Sequence, residues 1–145
     1  MVMKKQLKRV MLAGVLMVAM MLPQESKAAE TVEQVSSPIS ICSNYANGFE
    51  TQLSITNGTA NIKASVIGIA GTTTKIHAKV ILQKYSNGSW REVKAYEETV
   101  SAVSYYLSKS KSVSKGKYRV KGVFTVYKGA KSEKTTKYSG TVSYA

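Results

Sequence analysis

Residues 74–96 read TKIHAKVILQKYSNGSWREVKAY, and this stretch decides the fold. From Thr74 to Ser86 the residues alternate, with Ile76, Ala78, Val80 and Leu82 on one side and Lys75, His77, Lys79, Ile81 and Gln83 on the other. A period of two places the first set on one face of a β-strand and the second on its back. Asn87-Gly88 then supplies the two residues that best tolerate positive φ, which a type I′ hairpin turn demands. If Ser86 and Ser89 close that turn, regular pairing sets Leu82 opposite Val93 and Val80 opposite Ala95, so both inward sets agree. On the other face, Tyr85 meets Trp90, Ile81 meets Lys94 and Lys79 meets Tyr96.

The same period extends in both directions. Upstream, Phe49, Leu53 and Ile55 share a face of a strand ending at Asn57-Gly58, and Ala60, Ile62, Ala64 and Val66 share a face of the next. The two Asn-Gly pairs also read as glycosylation acceptors, but the turn accounts for each without a sugar. Ile67 and Ile69 break the alternation, which predicts a bulge or sheet edge near Gly68. Downstream, Val103, Tyr105 and Leu107 make a short strand, followed by a lysine-dense loop from Lys109 to Lys117. A strong strand then turns Tyr118, Val120, Phe124 and Val126 inward and Arg119, Lys121 and Thr125 outward. The last strand sets Tyr138, Val142 and Tyr144 on one face. About seven strands, frequent turn signals and no crossover helix predict an all-β protein, an antiparallel, immunoglobulin-like β-sandwich over residues 48–145.

Several segments carry a family likeness: Asn57-Gly58-Thr59-Ala60 opening a strand, Leu82-Gln83-Lys84 before the hairpin with Trp90, Gly116-Lys117-Tyr118-Arg119-Val120, and Glu133 before the last strand. Over roughly residues 50–145 the chain resembles small secreted proteins of Gram-positive bacteria, a family without an assigned function. The resemblance implies an immunoglobulin- or fibronectin-like sandwich and no activity. Gly116-x-Tyr118 suits a tyrosine-corner position at the start of the penultimate strand.

The N-terminus reads as an export signal. Lys4, Lys5, Lys8 and Arg9 precede an uncharged apolar run, Val10–Leu22, and the small residues Ser26 and Ala28 flank a cleavage point after Ala28. The run has 13 residues, whereas a membrane-spanning helix needs about 20. Residues 1–28 are therefore expected to be a signal-peptide helix. Residues 29–47 follow as an N-terminal segment with room for an edge strand, and the mature domain is not expected to span a membrane. Cys42 lies far beyond the apolar run, which argues against lipoprotein processing. A lone thiol allows no internal disulfide and reads as a small buried hydrophobe, an intermolecular disulfide being the alternative. The end, Ser143-Tyr144-Ala145, shows no hydrophobic anchor or sorting tail, so any attachment to the cell wall is expected to be non-covalent.

Of the 21 Lys and Arg, five fall in residues 1–28, as does one of the eight Glu; the remainder, 16 against seven, carries a net charge of +9. Such a surface associates with polyanions such as wall polymers or anionic lipid, and export makes nucleic acid the least natural partner. The same inventory argues against catalysis. One histidine, His77, and no aspartate leave no oriented nucleophile–base arrangement. One cysteine and one histidine cannot furnish a zinc site, and no cofactor motif is present. Glu92 and Glu98 share a face but lie about 20 Å apart along one strand, beyond the spacing of paired glycosidase carboxylates.

Two surfaces are candidates for binding. One is the outward hairpin face, where Tyr85, Trp90 and Tyr96 share a parity with Lys79 and Lys94 and would stack on sugar rings or anchor a protein partner. The other is the lysine-rich loop continued along the next strand, with Lys109, Lys111, Lys115, Lys117, Arg119 and Lys121 projecting from one end and one face as a polyanion site. These features predict a secreted, non-catalytic binding or surface-associated module contacting anionic cell-envelope polymers or a protein. A cationic antibacterial or membrane-active toxin is the alternative; against it, the apolar residues look committed to a core.

Overall fold

The computed structural model describes residues 35–36 and 43–145. The expected export signal, residues 1–28, and Cys42 lie outside the described residues. Strands β1 (Val35–Ser36), β2 (Ala46–Thr56), β3 (Thr59–Gly68) and β6 (Ser104–Ser112) form one antiparallel sheet in the order β1-β2-β3-β6. Strands β4 (Lys75–Ser86), β5 (Ser89–Val100), β7 (Gly116–Lys128) and β8 (Lys131–Tyr138) form a second, in the order β5-β4-β7-β8, and β9 (Val142–Tyr144) pairs with β7. For the described residues, the expectation of an all-β fold with antiparallel strands in two sheets holds. β1 lies at the edge of the first sheet, Val35 opposite Leu53.

The two sheets share one core, in a sandwich-like arrangement. Phe49, Leu53, Ile55, Ala60, Ile62, Ala64 and Val66 from the first meet Ile76, Ala78, Val80, Leu82, Tyr118, Val120, Phe124 and Val126 from the second, all buried. These are the residues that the period of two turns inward. Burying a single Leu, Ile or Phe is worth roughly 1.5–3 kcal/mol, so the pattern alone fixes which face of each central strand is inside. Both Asn-Gly pairs take the positive φ expected of type I′ turns, Asn57 at 49° and Gly58 at 72°, Asn87 at 51° and Gly88 at 79°. The irregularity expected near Gly68 is a register shift between Ala46 and Gly48, so the extra residue is Asn47 on the partner strand.

Four details of the sequence reading are corrected. First, the β4–β5 hairpin keeps its expected register only from Ser86/Ser89 to Gln83/Glu92; a bulge then leaves Val93 over, and Leu82 pairs with Lys94, Val80 with Tyr96, Ile81 with Ala95 and Lys79 with Glu97. The shift turns Tyr96 and Val100 against the core and leaves Val93 38% exposed. Packing a tyrosine and a valine inward buries more apolar surface than packing Val93 and Ala95, which is what the bulge gains. Second, the lysine-dense loop is mostly strand. β6 runs on to Ser112, paired with β3 as far as Thr59, and only residues 113–115 separate it from β7. Strand β3 has backbone groups to satisfy on this side, and β6 supplies them. Third, Tyr138 does not share a strand with Val142 and Tyr144: it ends β8, while β9 is a separate short strand with Val142 in the core. Fourth, β7, which bears Tyr118, is followed by two strands rather than one.

Candidate cation–aromatic site

The second sheet turns one face to solvent, and the pairing register decides what stands on it. The tight turn at Asn87-Gly88 places Tyr85 directly opposite Trp90, and their rings meet edge to face, centroids 5.3 Å apart at 62°. The β4–β7 ladder sets Gln83 opposite Arg119, and the β7–β8 ladder sets Lys121 opposite Tyr138. Strand parity then lines up Lys117, Arg119 and Lys121 on the outer side of β7, every second residue.

These side chains form a connected layer. The Arg119 guanidinium lies 4.3 Å from the Trp90 ring centroid and 4.4 Å from that of Tyr138, flanked by β5 on one side and β8 on the other. Its Nε donates to Gln83 Oε1 at 2.8 Å. Lys117 Nζ stands 5.8 Å from the Tyr85 ring and Lys121 Nζ 6.0 Å from Tyr138. Each contact is a cation over an aromatic ring, worth about 0.5–1 kcal/mol at exposed sites. Tyr85 and Tyr138 stay 44% and 41% exposed. The sole ion pair among the described residues is His77–Glu97 at 2.9 Å, so Lys117, Arg119 and Lys121 have no carboxylate partner there.

The two candidate surfaces thus merge in part. Tyr85, Trp90, Lys117, Arg119 and Lys121 come together. Tyr96 leaves, because the Val93 bulge turns it to the inner face, where Lys94 Nζ lies 5.7 Å from its ring. Lys109 and Lys111 leave too: they stand opposite Ile62 and Ala60, on the core-side parity of an edge strand in the other sheet, and are exposed. Charges set inward on an edge strand block the addition of a further strand. Lys115 lies in the connection between sheets. The polyanion residues therefore do not share one face.

Tyr138 is the member that the sequence reading missed. β8 carries Ser132, Lys134, Thr136 and Tyr138 on one face and Glu133, Thr135 and Lys137 on the other, with no apolar set to say which faces in. Only its pairing with β7 does.

Elsewhere, the bulge puts Glu92 and Glu97, rather than Glu92 and Glu98, on the outer face. Glu98 lies by Tyr105; burial first, and the Glu98 charge second, push that phenol above its ordinary range. Glu133 accepts from Ser43 Oγ, from Asn44 Nδ2 at 2.8 Å and from the Asn44 backbone N–H at 3.0 Å. The Ser43 bond first and the Asn44 side chain next hold its carboxyl below the usual range. The outer face of the first sheet is polar, with a shallow depression lined by Glu50, Gln52, Lys63, Ser65 and Tyr106. Among the described residues no three His, Cys, Asp or Glu are grouped to hold a metal, and no helix is long and apolar enough to cross a membrane. The chain matches no protein-family model and no curated protein sequence.

Proposed function

We propose that the protein is a secreted, non-catalytic binding module, built on an immunoglobulin- or fibronectin-like sandwich, that contacts anionic cell-envelope polymers through the outer face of the β5-β4-β7-β8 sheet. One observation carries the reading: Lys117, Arg119 and Lys121 stand in a row on that face, without carboxylate partners among the described residues, interleaved with Tyr85, Trp90 and Tyr138. A row of cations on the face of a sheet attracts a polyanion.

Two features support the immunoglobulin-like assignment. The chain passes from the first sheet to the second after β3, back for β6, and across again for β7, as Greek-key sandwiches do. Tyr118 is buried at the start of β7, and its hydroxyl donates to the Ser114 carbonyl at 2.7 Å, the bond that defines a tyrosine corner. Export rests on the charged-apolar-small pattern of residues 1–28.

Retention of the protein on isolated cell envelopes tests the function. Binding is expected at low salt and to disappear as the screening length falls from about 10 Å at 0.1 M to about 3 Å at 1 M. A K117Q/R119Q/K121Q variant that folds and is retained as well as the wild type overturns the proposal. So does leakage of anionic vesicles at micromolar protein, which favours the membrane-active alternative.

A further inference from the structure

The aromatic rings of the outer face have a closer reading than as platforms for sugars. A ring that stacks on a sugar must offer its face. Here the rings are approached by the protein's own cations: Trp90 and Tyr138 by Arg119, Tyr138 also by Lys121, and Tyr85 by Lys117. The rings hold the cations in place, and the cations are what the face presents.

Arg119 is the most constrained of them. Two rings flank its guanidinium, and Gln83 takes its Nε–H. A guanidinium has five N–H donors. Among the described residues, those on Nη1 and Nη2 have no partner and no carboxylate lies within ion-pair distance. A planar fork held this way loses little rotamer freedom on binding and matches two oxygens of one anionic group. Lys117 and Lys121, two residues to either side, are attached about 7 Å away along the strand at 3.3–3.4 Å per residue.

We infer that Arg119 is a preorganised bidentate oxyanion site, and that its ligand is a linear polymer of short polyols joined by phosphodiesters. This rests on the outer-face reading above and deepens it. Two observations select the class. The close succession of cationic residues along β7, one every second position, suits a short repeat with one negative group each. The occupied rings give no advantage to a polymer of sugar acids, whose repeat is itself a ring in need of a stacking partner. Lys109 and Lys111 play no part, being on the other sheet.

The test is a binding titration of the full chain with poly(glycerol phosphate) at fixed salt, beside polygalacturonate at equal charge concentration and phosphatidylglycerol vesicles. The wild type is expected to prefer poly(glycerol phosphate) to both. R119K keeps the charge and loses the fork, and is expected to weaken that binding on the order of tenfold. K109Q/K111Q removes two charges and is expected to weaken it less than R119K does. Melting curves check that each variant folds, and movement of the Arg119 Nε–Hε NMR signal on titration of the wild type reports the fork without any substitution. Wild-type affinity in R119K with a stationary Nε–Hε signal overturns the bidentate site. Equal affinity for polygalacturonate overturns the phosphodiester class, and equal affinity per phosphate for vesicles moves the ligand to a lipid surface. If K117Q/R119Q/K121Q loses binding while R119K does not, the fork falls and the outer-face reading stands; if the triple variant binds as well as wild type, both fall.

Discussion

The hairpins β2–β3 and β4–β5 start from the same device and end differently. Each opens on Asn-Gly in a type I′ turn. From there β2–β3 pairs without interruption from Thr56/Thr59 to Gly48/Ile67, whereas β4–β5 shifts after its fourth pair, at Gln83/Glu92. The difference lies in what each strand commits to the core. β2 and β3 bury every second residue from Phe49 to Ile55 and from Ala60 to Val66, so a slip of one would expose all of them. β5 is an edge strand with Arg91, Glu92, Val93 and Lys94 exposed in succession. Nothing there resists a slip, and the gain from seating Tyr96 and Val100 decides it. A turn sets the register near itself; only a buried stripe carries it further.

The sharpest way to break this comparison is to cut into the buried stripe. Leu53→Ala on β2, where the side chain is fully buried, is expected to cost roughly 2–5 kcal/mol, whereas Val93→Ala at the bulge stays within about 0.5 kcal/mol. Urea titrations of both variants check this, and equal losses would mean that β5 contributes to the core as β2 does.

Deleting Val93 sharpens the same contrast. Removing the residue left over by the bulge brings Glu92/Gln83 and Lys94/Leu82 into one regular ladder with Tyr96 still inward. The deletion is expected to cost less than about 1 kcal/mol and to preserve the Tyr96–Val80 pairing, which cross-strand NOEs would check. Loss of that pairing would show that the bulge, and not the burial of Tyr96, sets the far half of the hairpin.

The smallest effect is expected on the opposite edge, where Glu133 of β8 ties down Ser43 and Asn44 at the entry to β2. Its carboxyl titrates lower in the folded chain than its ordinary value, which is about 4.3. The stability that it adds is therefore fully present above that value and is lost as pH falls through the lower folded one. The difference in melting temperature between wild type and Glu133→Gln is expected to be constant near neutrality and to shrink below about pH 4. A difference that grows in acid contradicts the clamp.

The central strands were legible in the sequence because Ile62, Val80, Leu82, Val120 and Phe124 each sit in an alternation that has one sensible inside. Legibility failed where that alternation lapses. Lys109 and Lys111 read as loop because they are charged at inward positions, although β3 needs a backbone partner there. Tyr138 read as kin to Val142 because β8 has no apolar stripe to fix its parity. The cation–aromatic layer was half visible: Tyr85 and Trp90 follow from the turn, and Arg119 and Lys121 from the alternation of β7. Their meeting depends on β7 lying between β4 and β8, and that strand order is written in no single segment.

The solvent face of the β5-β4-β7-β8 sheet is the proposed contact surface. Its most direct test is a ¹H–¹⁵N spectrum of the full chain recorded during titration with poly(glycerol phosphate). Shifts are predicted to concentrate on the Trp90 indole N–H, the Arg119 side chain and the backbone of Tyr85, Lys117, Lys121 and Tyr138, leaving Lys109 and Lys111 still. Shifts centred on β6, with the Trp90 and Arg119 signals unmoved, would contradict it.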